Sequence, residues 1–158
     1  MWKNIKTYII SIAIALAVGG LAAFLTRNSM DIYSEIILPP LAPSSILFPI
    51  VWTVLYVFMG IGSARVYQLR RSAPRATEKA LTYYAMNLIA NFTWSIIFFN
   101  FRAYLAAFFW LLLLLYIIIK MIISFEKVSP FAAYLQIPYA LWVTFAGYLN
   151  FSIWYLNK

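Results

Sequence analysis

The sequence contains no cysteine and no histidine. Their absence removes disulfides, thiolate nucleophiles, imidazole bases and most transition-metal sites, so neither a metal nor a required cofactor is expected. Acidic residues are scarce too: Asp31, Glu35, Glu78 and Glu126 are the complete set, and none lies inside a long apolar run. Acid–base chemistry has no evident pair to work with, and an enzyme is not the expected reading. Charged residues make up 10% of the chain against 65% hydrophobic, at a mean hydropathy of +0.86. Soluble domains run at about half apolar and a quarter charged, and 158 residues offer too little interior to hide the surplus. An ordinary soluble domain is excluded, and the membrane is the remaining class.

What is present is arranged in bands. Charge-free intervals run over 7–26, 36–64, 80–101, 103–119 and 128–157. A helix crossing the hydrocarbon core needs about 20 mostly apolar residues, so each interval supplies one span, the fourth by continuing through Lys120 to Phe125. None alternates polar and apolar as a barrel strand would, and lipid tolerates no unpaired backbone, so the spans are expected to be helices. The expected fold is an all-α integral membrane protein. One domain over 1–158 forms a five transmembrane helix bundle with spans near 5–25, 46–69, 80–99, 103–124 and 131–155. A long loop joins helices 1 and 2. The first span is too long, and too poor in a cleavage motif, for a removed signal peptide.

The net charge of +8 reads as topology rather than as a nucleic-acid surface. In a five-span arrangement Lys3, Lys6, Arg65, Arg70, Arg71, Arg75, Lys79, Lys120 and Lys127 fall on one side, and only Arg27, Arg102 and Lys158 on the other. For a bacterial cell membrane this bias places the N-terminus inside and the C-terminus outside.

Within the spans, Ala15, Gly19 and Ala23 recur at four-residue spacing, with Ala13, Ala17, Gly20 and Ala22 beside them. So smooth a surface packs on another helix, in the same chain or across a dimer. Gly60, Gly62 and Ala64 make a second, weaker case. The 26–45 connection mixes Asp31, Tyr33, Glu35, Pro39, Pro40 and Pro43 with the apolar run Ile36 to Leu38. It predicts one helical turn followed by a proline-restricted arm, acting either as a lid or as a segment resting on headgroups. Pro49 fits the first turn of span two, and Pro138, inside the fifth pattern, predicts a kink.

Asn87 and Asn91 lie one turn apart on one face of span three, with Trp94 close to it. They serve either as an interhelical clamp or as ligand contacts. Trp142, Ala146 and Leu149 form a stripe on span five, and Trp52, Tyr56 and Met59 one on span two. Trp2, Trp110 and Trp154 are expected at the membrane boundary, with Trp110 facing lipid.

Tyr33, Pro39 and Pro43, then Trp52 and Tyr56, form a spaced pattern that resembles the tryptophan-rich sensory protein family. Its mitochondrial members are the translocator proteins, or peripheral benzodiazepine receptors. Three further blocks agree: Asn91 to Ser95 ending in Phe98 and Phe99, Pro138 to Trp142, and the closing Asn150 to Asn157. The resemblance covers nearly the whole chain. Departures stand at Ile32, Leu38, Leu41 and Ser44, all in the loop.

The resemblance implies a homodimer in the lipid membrane, with an intrabundle pocket under the helix 1–2 loop. Its implied ligands are porphyrins such as protoporphyrin IX and haem, or other flat hydrophobic molecules. Carried over residue by residue, the pocket is Tyr33, Pro39, Pro43, Trp52, Asn87, Asn91, Trp142, Ala146 and Leu149. Without histidine or cysteine to ligate iron, recognition falls on the macrocycle, which favours free-base porphyrin. Two alternatives stay open. One is light- or oxygen-dependent porphyrin breakdown, with Trp52 and Trp142 as the redox candidates. The other is transport of a tetrapyrrole or sterol-like lipid, against which stands the lack of an internal repeat or intramembrane charge pair.

Overall fold

Long uncharged runs of Leu, Ile, Ala and Phe leave the backbone no partner but itself, and the chain closes its hydrogen bonds helically along nearly its whole length. A computed structural model describes residues 1–158. Its helices are α1 (Trp2–Thr26), α2 (Ile32–Glu35), α3 (Leu47–Gln68), α4 (Pro74–Ser95), α5 (Tyr104–Glu126), α6 (Pro130–Tyr134) and α7 (Ile137–Leu156). A 3₁₀ turn at Arg27–Ser29 follows α1, and a π-helical segment at Ile96–Asn100 extends α4. Five helices run 20 residues or longer: α1, α3, α4, α5 and α7. Three stretches are long and apolar enough to cross a membrane: Trp2–Ser29, Leu47–Gln68 and Tyr104–Glu126.

The helices alternate in direction. Gln68 Nε2 donates to Asn4 O, placing the end of α3 beside the start of α1. At the opposite pole Asn100 Nδ2 donates to Leu25 O, joining the end of α4 to the end of α1. The closest packing is between α1 and α3, between α4 and α5, and between α5 and α7. Glycine explains the first. A Cβ at Gly60 would sit 2.5 Å from Ile12 Cα, and one at Gly19 would run into the Tyr56 ring, so the two backbones approach as small residues allow. The packed face of α1 is Ala15, Gly19 and Ala22, whereas Ala13, Ala17, Gly20 and Ala23 stay uncovered or nearly so.

Two expectations are corrected here. Pro138 does not kink a continuous helix. Its ring would meet the carbonyl of Tyr134 and its nitrogen has no proton to donate, so α6 ends at Tyr134. The chain turns at Leu135 and Gln136, and α7 restarts with Pro138 in its first turn, where a missing donor costs nothing. Gln136 is fully buried at the break and plugs it, Nε2 donating to Phe58 O at 3.1 Å and Ala132 O at 3.3 Å. Trp110 does not face lipid either. Its indole donates to Ala90 O at 2.8 Å and packs against the core between α4 and α5.

Candidate functional site

The segment linking α1 to α3 crosses the pole where α1, α4 and α7 end. After the single turn of α2 it runs from Ile36 to Ser45 as an arm with three prolines, which cannot rejoin a helix. The arm is tied down at both ends and in the middle. Asn157 at the end of α7 accepts from Ile37 N at 2.8 Å and donates to Ile37 O at 3.0 Å. Tyr148 donates to Pro40 O at 2.9 Å, and Tyr33 donates to Pro43 O at 2.7 Å. Burial raises the Tyr33 phenol above its ordinary range, which keeps it in the donating form. Arg102 also pairs with Glu35 at 3.2 Å, but both are well exposed and the pair adds little.

Below the arm an aromatic chain descends. Tyr33 meets Phe48 edge-on with centroids 5.4 Å apart, Phe48 meets Trp142 at 5.9 Å, and Trp142 meets Phe145 at 5.7 Å. This chain leads into a groove between α3 and α7, whose backbones do not pack along their length. The groove encloses about 460 Å³ and is walled by Ile50, Val54 and Phe58 on α3 and by Pro138, Leu141 and Phe145 on α7. Leu55, Val51 and Trp142 complete the lining. The indole Nε1 of Trp142 is buried and has no hydrogen-bond partner. Such a donor costs free energy while it stays unpaired, and the groove beside it is an apolar slot.

The sequence-derived residues divide into two neighbourhoods. Trp142 belongs to the groove, and Tyr33, Pro39 and Pro43 to the arm above it. Asn87 and Asn91 belong to a buried knot: Tyr139 donates to Asn87 Oδ1 at 2.5 Å, Asn87 Nδ2 reaches Met59 Sδ at 3.8 Å, and Asn91 Nδ2 donates to Tyr56 Oη at 3.1 Å. Tyr139 is completely buried. Trp52 lies against the knot, 5.8 Å from the Tyr56 ring and 6.1 Å from that of Tyr139. Ala146 and Leu149 are buried on α7. In the structure the amide pair therefore clamps α3, α4 and α7 together, and the open volume lies on the α3–α7 side.

Several residues escaped sequence reasoning. Phe48 is one phenylalanine among 13, and nothing in its spacing singles it out. Asn157 and Tyr148 act on a segment more than 100 positions away. Gln136 had a signal: an uncharged amide inside an apolar run needs a partner. Asn150, which the sequence already places beside the Trp142 stripe, accepts from Trp94 Nε1 at 3.1 Å and donates to Tyr104 O at 2.7 Å.

Comparison with known proteins bears on this geometry. The model of the TspO/MBR family matches residues 11–156. The tryptophan-rich protein TspO of Chlorobaculum tepidum is 34% identical over 158 residues, covering 99% of each chain. Protein CrtK of Rhodobacter capsulatus is 34% identical across 79% of this chain and 78% of its own. The translocator protein of Bos taurus is 32% identical across 80% of this chain and 75% of its own.

Proposed function

The chain belongs to the TspO/MBR family of membrane proteins and, from that premise, we propose that it binds a porphyrin, free-base in preference to haem, in the groove between α3 and α7 beneath the proline arm. One observation carries the reading: a groove lined almost wholly by apolar and aromatic side chains includes Trp142, whose buried Nε1 has no partner of its own. A flat macrocycle covers the apolar walls, while its polar edge accepts from the indole. Its volume lies within the range of about 300–1,000 Å³ common to small-molecule sites.

In this reading α1, α3, α4, α5 and α7 all span the bilayer, with the N-terminus inside and the C-terminus outside a bacterial cell membrane. The charges of α4 are confined to its first turns, Arg75 to Lys79, so its remaining length can lie in lipid. The uncovered small-residue surface of α1 is where two chains pair as a homodimer.

Titration with protoporphyrin IX, followed by absorbance and fluorescence in the dark and under illumination, tests the function. Saturable binding without a new chromophore is expected; light-dependent product would convert the binder into a photochemical catalyst. Trp142→Ala is expected to weaken binding at least about tenfold, or about 1.4 kcal/mol, because it removes both an aromatic wall and the indole donor. Trp52→Ala, which loosens the knot behind the groove, weakens it as well. Trp2→Ala, at a side chain 77% exposed, leaves it unchanged. Equal losses at all three positions in folded protein would place the ligand elsewhere.

A further inference from the structure

The arm carries an apolar ridge that none of its hydrogen bonds explains. From Ile36 to Ile46 there is no charged residue, although this stretch lies outside the long helices. Ile36 and Pro39 turn inward, but three of its apolar side chains do not: Leu41 is 81% exposed, Ile46 71% and Ile37 60%. The backbone at Leu41 is the most telling feature. Ala42 N donates to Pro39 O at 3.2 Å across Pro40 and Leu41, and Leu41 has φ of 69°. That is the third position of a type II turn, which favours glycine because a side chain there crowds the backbone. The turn is nevertheless pinned on both flanks, by Tyr148 at Pro40 and by Tyr33 at Pro43. The fold thus holds a leucine outward in a strained conformation, where water rewards it with nothing.

We propose that this ridge, with Leu41 at its tip, dips into the headgroup–acyl boundary of the bilayer and anchors the arm to the lipid surface. Two arguments select lipid over other occupants. The ridge runs directly through Ile46 into Leu47, both exposed, at the start of a helix long and apolar enough to span. The arm also presents no charge to match a protein or nucleic-acid surface, whereas apolar side chains without counter-charges partition readily at a membrane boundary. The anchoring does not depend on which ligand the groove takes, so its test is separate from the porphyrin titration.

Because the chain has no cysteine, single positions can be labelled cleanly. Leu41→Cys, Ile46→Cys and Ser72→Cys each receive a bimane fluorophore and are reconstituted into phosphatidylcholine vesicles. Acyl chains brominated near the glycerol are the lipid-borne quencher, and iodide on both faces is the aqueous one. Bromolipid is expected to quench bimane at Leu41 and Ile46 by about half or more, with iodide nearly without effect. The Ser72 label in the basic α3–α4 turn is expected to show the reverse. Ile46 carries the same readout without touching the strained turn, so a folding defect at Leu41 does not remove the test. Iodide quenching at both ridge positions as strong as at Ser72, with no response to bromolipid, overturns the proposal and assigns the ridge to a protein partner.

Discussion

Two glycines show how finely position matters at the scale of one residue. Gly60 faces the backbone of α1, so even a methyl group must push Ile12 away, whereas a Cβ at Gly20 meets nothing within 4 Å. Gly60→Ala is expected to cost about 1–3 kcal/mol through overpacking, read as a lower unfolding midpoint in detergent. Gly20→Leu has room inside its own chain and is expected to leave the midpoint of the single chain intact. In the proposed homodimer its effect falls on association: light scattering is expected to show two chains per particle for the unmodified protein and one for Gly20→Leu. Identical midpoints for the two variants would contradict the α1–α3 packing, and an unchanged mass for Gly20→Leu would remove the α1 face from the dimer. The asparagines make a related point. Tyr139 is wholly buried and gives its only proton to Asn87, so the amide's first duty in this fold is to keep a phenol from being orphaned in an apolar medium.

Among the elements, the proline arm is the one whose conformation is decided by a few identifiable bonds. Its Tyr33 phenol is held above the usual tyrosine range by burial and donates to Pro43 O. The neutral phenol can donate and the phenolate cannot. This contribution is therefore complete below the ordinary tyrosine pKa of about 10 and is lost as pH rises through the raised value in the fold. A fluorophore at Ser44→Cys is expected to report release of the arm in that alkaline window, above the ordinary tyrosine pKa of about 10. With Tyr33→Phe in the same chain the bond is absent at every pH, so the step disappears. A step that persisted without the phenol would mean that another group tethers the arm. The α6–α7 break shows the same logic in apolar surroundings. A proline interrupts the ladder, and the buried Gln136 amide bridges the break by donating to the carbonyls of Phe58 on α3 and Ala132 on α6.

For the whole molecule, the poles differ in charge, and by the positive-inside rule that difference underlies the proposed orientation. The start of α1, the α3–α4 turn and the end of α5 gather most of the lysines and arginines, while the 3₁₀ turn after α1, the α4–α5 turn and the C-terminus share Arg27, Arg102 and Lys158. A membrane-impermeant maleimide is expected to label Asn4→Cys and Ser72→Cys from one face and Ser45→Cys from the other. Ser72→Cys labelling together with Ser45→Cys would invalidate the proposed topology. The opening between α3 and α7 is also a property of the whole. It exists because α3 is drawn to α1, where Gly60 admits the backbone of Ile12, and α7 packs along α5. Neither helix is left to close on the other.

Helix formation in an apolar medium is a local matter, each amide bonding four residues back, so charge-free runs by themselves located the long helices, and the prolines located the arm and the interruption near Pro138. The spaced tyrosine, prolines and tryptophans likewise identified the family. What the sequence could not reveal was how each helix is rotated. Helices apolar all the way round carry almost no amphipathic signal to separate a core face from a lipid face. Only the packed structure therefore turned Trp110 inward onto Ala90, set Tyr139 between the asparagines, and left Trp142 with an unpartnered nitrogen beside an open groove. The clasp of Asn157 on Ile37 was beyond reach for another reason: it joins segments at opposite ends of the chain, and that proximity exists only after all the helices have found their neighbours.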